Sequence, residues 1–323
     1  MRRNRGSALL AVLWLSAALS AIAFSIAATV RAETERTALH AEGVRAYFLA
    51  AGAVERAMLY IQWGPEHLTP EGKPRFFRHG MPRMHFSFPS GEADVEVISE
   101  TAKVDLNRAT PETLFRLLVA VGAPADNARE LTAAIVEWRS AAPQGPAPMD
   151  QFSLSPTPSF RSRHASFQEI EELLLLRGMT TELFYGGYEH GADDRLVPHG
   201  GLRDCVSVYG ATDRFEVNTS RPAVLLAAGL PAGTVAGIVT LRQSVPFLEQ
   251  PQLDALGPMV AERLRIGGES IFSLRATARL RLQDGRLSDT TRSVEALVKR
   301  HENEKHVDVP YHVLRWYDNV WAQ

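Results

Sequence analysis

The chain begins with a basic segment and continues with a long run of apolar and small residues. Three arginines within the first five residues precede Gly6, and no charged residue occurs from Ser7 to Val30. A helix over these roughly 24 positions would extend about 36 Å at 1.5 Å per residue, which is enough to span a bilayer. The positive-inside rule places the arginines in the cytoplasm and the residues after Arg31 across the membrane. The pattern therefore predicts a single-pass membrane protein.

The pattern of the following residues predicts that this helix continues beyond the membrane. Apolar residues recur at helical spacing as far as Ile61, and no proline occurs before Pro65. We expect one helix of about 55 residues, with a break near Gly43 or Gly52 as the alternative. A removed secretory signal is a second alternative, because Val30-Arg31-Ala32 imitates a cleavage site. Signal peptides, however, carry an apolar run of only ~7–15 residues.

Residues 270–282 alternate between apolar and polar side chains, which is the pattern of a half-buried strand. The positions predicted to face the core are Phe272, Leu274, Ala276, Ala278, Leu280 and Leu282. Asp284-Gly285 predicts a hairpin turn, and a returning strand carries Val294, Ala296 and Val298. We interpret the polar face as solvated, with a basic binding stripe as the alternative for Arg275, Arg279 and Arg281. Further strands are indicated by Val95, Val97, Val313 and Trp316.

An internal repeat lies between these regions. Asn107 and Asn218 are each followed by a proline four residues later, Pro111 and Pro222, and by a leucine seven residues later. Each copy predicts a short helical module, with an asparagine or Thr110 as the helix cap and the proline in the first turn. A second helix is predicted from Asn127 to Arg139, and the Pro- and Ser-rich residues 141–165 are predicted to form a long loop.

Such modules resemble helix-hairpin-helix units, so membrane-anchored DNA binding, as in competence proteins, is the main alternative function. A hairpin that binds phosphate offers backbone amides to it. Here the hairpins are 121–124 and 228–231, and each ends in a proline, which has no amide to donate. We therefore expect no nucleic-acid partner and interpret the two asparagines as helix caps.

Composition adds limits rather than chemistry. The chain has 323 residues with 45% apolar and 22% charged residues, which is typical of folded proteins with about two domains. A formal charge of −2 argues against a nucleic-acid surface, and the single Cys205 excludes an internal disulfide. No metalloprotease, nucleophile-elbow, P-loop or dinucleotide motif occurs. We therefore expect no catalytic residues and no enzyme activity.

The leader resembles the processing site of type IV pilin-like proteins, because the basic segment 2–5 ends in Gly6 directly before the apolar helix. The resemblance implies that a prepilin peptidase cleaves between Gly6 and Ser7 and methylates Ser7. The glutamate that this family usually has at mature position five is replaced by Ala11. Its absence is typical of the K-type minor pseudopilins of type II secretion, which are proposed to lie at the tip of the pseudopilus.

Three further segments are similar to the general secretion pathway protein K family: 104–114, 167–179 and 217–225. The resemblance implies a structural role in initiating or capping the filament for protein export across the outer membrane. The implied partners are I- and J-type minor pseudopilins, other pseudopilins, the inner-membrane assembly platform and the prepilin peptidase. A minor type IV pilin is a further alternative. In this family the region that corresponds to 141–165 tends to hold acidic residues that can bind calcium, but here only Asp150 is acidic in it, a departure that puts an inherited calcium site in doubt. Glu189, Asp193 and Asp194 form the best remaining acidic cluster and are weak calcium candidates; a solvated turn is the other interpretation. We otherwise expect no metal or cofactor.

The predicted fold class is α+β, with a pilin-like long N-terminal helix packed on an antiparallel sheet and a large inserted helical domain of SAM-like or helix-hairpin-helix-like modules. The predicted regions are a leader (1–6), the helix (7–62), a first β region (63–103), the inserted domain (104–265, with repeat modules near 104–140 and 216–245) and a C-terminal β region (266–323). We expect an inner-membrane protein with a cytoplasmic N-terminus and a periplasmic C-terminal domain.

Overall fold

The first element is a single long helix. The computed structural model describes residues 5–64, 67–142, 145, 148–155, 159–190, 195–268, 270–301 and 311–318, without the side chains of residues 5–8, 189 and 198. Helix α1 (Arg5–Trp63) contains 59 residues and runs without interruption through Gly43 and Gly52, so it is about 88 Å long at the α-helical rise. The prediction of one continuous helix is confirmed, and the two-helix alternative is wrong.

The remaining helices and strands follow in a mixed order. They are β1 (Arg83–Phe88), β2 (Gly91–Ser99), β3 (Val104–Asp105), α2 (Pro111–Ala120), α3 (Ala125–Arg139), α4 (Pro148–Leu154), α5 (Thr181–Tyr185), β4 (Gly186–His190), β5 (Leu196–Gly200), β6 (Val206–Ser207), β7 (Phe215–Glu216), α6 (Pro222–Ala227), α7 (Ala232–Ser244), α8 (Gln250–Ala255), α9 (Pro258–Arg263), β8 (Leu264–Arg265), β9 (Ile271–Arg281), β10 (Leu287–Arg300) and β11 (Tyr311–Asp318).

The main sheet is antiparallel, with strand order β1-β2-β9-β10-β11. β2 and β9 are direct neighbours, with Val95 opposite Ala276 and Val97 opposite Leu274. All elements from β3 to β8 therefore form an insertion between two paired strands. This arrangement confirms the predicted α+β fold class; the predicted domain limits stay a prediction.

Helix α1 packs on the inner face of this sheet through small residues. Its buried positions are Ala46, Leu49, Ala50, Ala53, Val54, Ala57, Met58 and Ile61. Alanines allow a helix to approach closely, and the sheet offers alanines in return at Ala276, Ala278 and Ala296. Gly91 leaves no room for a side chain, because an added Cβ would lie 2.8 Å from the Leu49 side chain of α1 and 2.2 Å from the Arg279 carbonyl oxygen of β9. The alternating apolar positions of β9 thus fill the core between helix and sheet.

The predicted hairpin after β9 is present. Gly285 has a φ of +83°, which glycine adopts at no steric cost. Asp284 Oδ1 accepts a 3.0 Å hydrogen bond from the Arg286 amide. Leu282 was predicted to face the core. It lies in the turn after β9 and is 37% exposed, because the strand that packs against α1 ends at Arg281.

The polar face of β9 was predicted to be solvated, and this prediction is wrong for its first half. Ser273 and Arg275 are buried, because the insertion covers this face. A continuous basic stripe along the strand is not supported either, since Arg275 is covered by the insertion and Arg279 and Arg281 bind neighbouring strand residues. Arg275 pairs with Glu295, Arg279 donates to the Ser288 carbonyl, and Arg281 pairs with Glu92.

The insertion has its own apolar core, built mainly from α2, α3, α6 and α7. The predicted second helix, 127–139, begins two residues earlier, after Pro124. The predicted loop 141–165 contains the short helix α4. Helix α4 is stabilised by the burial of Met149, whose amide donates a 2.8 Å hydrogen bond to Glu137 Oε1. The Pro- and Ser-rich composition of the segment does not reveal these tertiary contacts.

Replacing Leu274 by alanine should lower the free energy of unfolding by about 2–5 kcal/mol, since Leu274 is fully buried between α1 and β2 and its loss leaves a cavity. Leu282→Ala is the matched control on the same chain segment and should cost less than about 1 kcal/mol. Denaturant unfolding of the detergent-purified chain measures both. Equal losses for the two variants would contradict the proposed core.

Candidate assembly surface and helical modules

The first half of α1 contacts no other part of the described chain. The large apolar side chains between Leu9 and Val30 are 57–79% exposed, and the most apolar 18-residue window of the helix has a mean hydropathy of 2.3. Three hydroxyls in and just after this run are satisfied within the helix: Ser20, Thr29 and Thr34 each donate to the carbonyl four residues earlier, at 2.8–2.9 Å. By length and composition this helix can cross a membrane as a single-pass anchor.

The predicted processing residues lie at the start of this helix. Gly6 and Ser7 belong to its first turns, while residues 1–4 lie outside the described part of the chain. Ala11 is exposed on the same helix. Cleavage after Gly6 and methylation of Ser7 stay predictions.

Above the apolar run, α1 has a second exposed face that turns away from the sheet. Val44, Phe48 and Leu59 are 43%, 66% and 45% exposed. Gly52 lies on the same face, and an added Cβ there would meet nothing within 4 Å. We call these four residues the outer stripe. A helix that only covered a sheet would be polar on this side, so the stripe is a candidate contact for another subunit.

The two repeat copies begin with equivalent acidic residues that bind the backbone of a turn. Asp105 Oδ1 accepts hydrogen bonds from the amides of Asn107 (2.8 Å) and Arg108 (3.2 Å). Glu216 accepts from the amides of Asn218 (2.9 Å) and Thr219 (2.7 Å). Burial raises the pKa of both carboxyl groups above their usual values, against the opposing effect of these hydrogen bonds.

The repeated asparagines are not helix caps, in contrast to the prediction. Asn107 donates to the Phe167 carbonyl (3.0 Å) and accepts from the Phe167 amide (2.7 Å). Asn218 makes the same two contacts with Leu248, at 3.1 and 2.7 Å. Each asparagine side chain therefore satisfies both the N–H and the C=O of one residue in a loop that is distant in the chain. This pairing needs tertiary contact, so local sequence rules favoured the cap interpretation.

The first copy is capped by Thr110 as predicted, and both copies have the predicted proline in the first helical turn. Thr110 accepts from the Thr113 amide at 3.2 Å, and Pro111 occupies the first turn of α2. In the second copy Pro222 occupies the same place in α6, but Arg221 provides no side-chain cap.

A pair of arginines completes the repeat and was missed in the sequence. Arg139, at the end of α3, donates to the Leu106 and Ala109 carbonyls, both at 2.6 Å. Arg242, near the end of α7, donates to the Ser220 carbonyl at 2.7 Å. The shared pattern of an acid two residues before the asparagine and an arginine late in the second helix is visible in the sequence. This pattern would have identified Arg139 and Arg242 as equivalent residues of the two copies.

The two hairpins use their amides internally. The amides of Gly122 and Ala123 donate to the carbonyls of Val119 and Leu118, both at 3.0 Å, and Gly229 donates to Leu226 at 2.9 Å. These three amides are therefore not offered to a phosphate, which argues against the DNA-binding alternative.

A row of charges lies where the insertion meets the sheet, and two of its members, Arg275 and Glu295, are buried. Glu96, Arg275 and Glu295 are direct neighbours on β2, β9 and β10. Arg275 donates to Glu295 (2.9 Å) and to Asp204 of the insertion (3.2 Å). Burial alone would raise the pKa of Glu295, yet the positive charges of Arg275 and Lys103 hold it below its usual value. The ionised pair therefore persists inside the interface.

Glu100 connects the same interface from the other side. Its carboxylate accepts hydrogen bonds from Lys103 Nζ (2.7 Å), from Ser273 on the sheet (2.8 Å) and from Ser207 in the insertion. Burial would lower the pKa of Lys103, but Glu100 and Glu295 raise it above its usual value. The interface is polar and hydrogen-bonded, which fixes the orientation of the insertion on the sheet.

The remaining candidates show no reactive chemistry in the described residues. Cys205 is buried, and burial raises the pKa of its thiol to about 12, so it is not a thiolate at neutral pH. Of the calcium candidates, Asp193 and Asp194 lie outside the described residues. Glu189 lies in β4, with its side chain outside them. Within the described part of the chain, no three histidine, cysteine or acidic side chains come together as a metal site. A calcium site therefore stays a prediction.

Asn218→Ala should lower the free energy of unfolding by roughly 2–4 kcal/mol, because both backbone groups of Leu248 lose a buried partner. Asn127→Ala provides a matched control: this asparagine makes one 3.3 Å bond, to Gly178, and its loss should cost less than about 1 kcal/mol. Thermal and denaturant unfolding report both values. A loss for Asn218→Ala no larger than that of the control would show that the two hydrogen bonds between Asn218 and Leu248 do not stabilise the fold.

Comparison with known proteins assigns part of this architecture. Residues 94–185 match the family model described as Type II secretion system (T2SS), protein K. Among curated proteins, no sequence matches the chain significantly. The fold matches a chain of the GspK-GspI-GspJ complex from the enterotoxigenic Escherichia coli Type 2 Secretion System, with a TM-score of 0.51 and 17% identity. This match covers 88% of the present chain and 100% of that chain. Residues 94–185 are therefore similar to the type II secretion system protein K family, and most of the chain shares a fold with a chain of that complex.

Proposed function

We propose that the chain is a K-type minor pseudopilin, a structural subunit of the type II secretion pseudopilus. The observation that carries the proposal is the protein K match of residues 94–185, placed behind an exposed apolar helix. Such a subunit is held in the inner membrane by α1, with the sheet and insertion on the periplasmic side. Its role is mechanical, and it needs no catalytic residues.

The geometry supports assembly through α1. Its apolar first half is available to lipid or to neighbouring helices, and the outer stripe extends this apolar surface beside the globular part. The matched complex contains GspI and GspJ together with GspK. We therefore propose I- and J-type minor pseudopilins as partners, with the outer stripe as one contact.

The position of the insertion supports a role at the filament end. It covers the sheet face opposite α1 and leaves the outer stripe free. A subunit with this bulk on one side allows helix packing from α1 while blocking further subunits above it. Its partners before and during assembly would then be the prepilin peptidase, the assembly platform and other pseudopilins.

Co-expression with a prepilin peptidase should convert the chain to a form that begins at methylated Ser7. The measurement is the mass of the N-terminal peptide, with and without the peptidase. Gly6→Val should remain uncut, because the cleaved bond follows Gly6. An uncut wild-type chain would indicate a plain signal anchor, and cleavage near Ala32 would indicate a soluble exported protein. Either result contradicts the proposal.

Phe48→Glu should weaken binding to co-expressed I- and J-type pseudopilins about tenfold or more, since an interface centre does not tolerate an unpaired charge. The thermal midpoint should not change, because Phe48 is exposed. The control is Leu196→Glu on the exposed β4–β5 hairpin, which should leave binding intact. Unchanged binding by Phe48→Glu would remove the stripe from the interface while leaving the family assignment in place.

A further inference from the structure

A cleft lies between the outer face of the sheet and the second repeat module. Glu96 and Arg275 form its sheet side, and residues 218–222, Arg242 and Phe247 form its module side. Its volume is about 380 Å³. We call it the module cleft. This size admits a small organic ligand or one or two side chains of a peptide.

The cleft is lined by more basic than acidic side chains. The basic residues are Arg83, Lys103, Arg221, Arg242 and Arg275, and the acidic residues are Glu96 and Asp204. Other carboxylates that balance these cations, Glu100, Glu216 and Glu295, do not line the cleft. The wall that a ligand meets is therefore positive.

Two of these arginines have buried N–H groups with unmet hydrogen-bonding capacity. Arg275 uses Nε and Nη2 on Glu295 and Asp204, whereas Nη1 has no hydrogen-bond partner among the described residues and lies 3.9 Å from Glu96. Arg242 uses Nη1 on the Ser220 carbonyl, and its Nε and Nη2 have no partner in the described part of the chain. Buried donors are almost always paired, so these N–H groups are available to an acceptor that enters the cleft.

The lowered pKa of Arg242 also indicates that its guanidinium group lacks a full complement of negative partners. Burial lowers its pKa to about 10, and the attraction of Glu216 offsets the shift only in part. A negative group in the cleft would therefore stabilise the guanidinium further.

We propose that the module cleft binds a carboxylate group, held by the guanidinium groups of Arg221, Arg242 and Arg275. Guanidinium and carboxylate are planar and match in two parallel hydrogen bonds. Glu96 and Asp204 limit the positive charge of the site, which favours a single negative charge over a phosphate dianion. Phe247 and Pro246 provide an apolar wall for the carbon skeleton next to the carboxylate.

The carboxylate can come from a free organic acid or from an acidic side chain of a peptide. Calorimetric titration of the full-length chain in detergent, at constant ionic strength, distinguishes the two. The probes are glutarate and the blocked peptide acetyl-Ala-Glu-Ala-amide, with acetyl-Ala-Gln-Ala-amide as the uncharged match. Tighter binding of glutarate assigns a free acid, and tighter binding of the glutamate peptide assigns a protein segment. Both support the site.

Arg221→Gln should weaken binding of the better probe about tenfold, which corresponds to about 1.4 kcal/mol. Arg221 is 41% exposed at its side chain, so this variant should fold normally. Arg242→Gln should weaken binding at least as much, and a circular dichroism spectrum checks its fold. Arg116→Gln, outside the cleft, is the matched control and should bind like the wild type. No saturable heat with either acid, equal binding of the glutamine peptide, or unchanged binding by Arg221→Gln would overturn the proposal.

Discussion

The pairing of β2 with β9 is the constraint on which the rest of the structure depends. These strands are hydrogen-bonded neighbours, although residues 100–270 lie between them in the chain. Closing such a long segment costs conformational entropy, which grows slowly with its length. The pair is stable because both of its faces are covered, the inner face by α1 and the outer face by the segment that it encloses. The insertion therefore contributes to the stability of the sheet that holds it.

The two faces are covered by different physical means. On the inner face, alanines on α1 and on the strands allow close apolar packing, and dispersion and the hydrophobic effect stabilise the contact. On the outer face, Arg275 and Glu295 are buried with Asp204 of the insertion. Buried ion pairs contribute little net stability, because desolvation offsets their attraction. Their geometry is specific, so they select one orientation of the insertion on the sheet.

The two repeat modules are stabilised by the same set of hydrogen bonds. In both copies an acid binds the turn, an asparagine binds a distant loop, and an arginine closes the second helix onto the turn. α2 and α6, the first helices of the two copies, pack against each other in the shared core. The insertion thus lies on one side of the sheet, and the outer stripe of α1 on the other side is exposed.

The sequence by itself determined the elements whose signals are local. Helix α1 was predictable because a long apolar run without proline has no other stable form, and β9, its turn and β10 because alternation and Asp284-Gly285 act over a few residues. The repeat was also readable from its spacing. The burial and hydrogen-bond partners of Arg275, Asn107 and Asn218 were not predictable in this way, because these partners lie on strands and loops distant in the chain. A polar side chain looks the same in sequence whether it faces water or a buried acceptor. Its environment depends on what the fold brings against it.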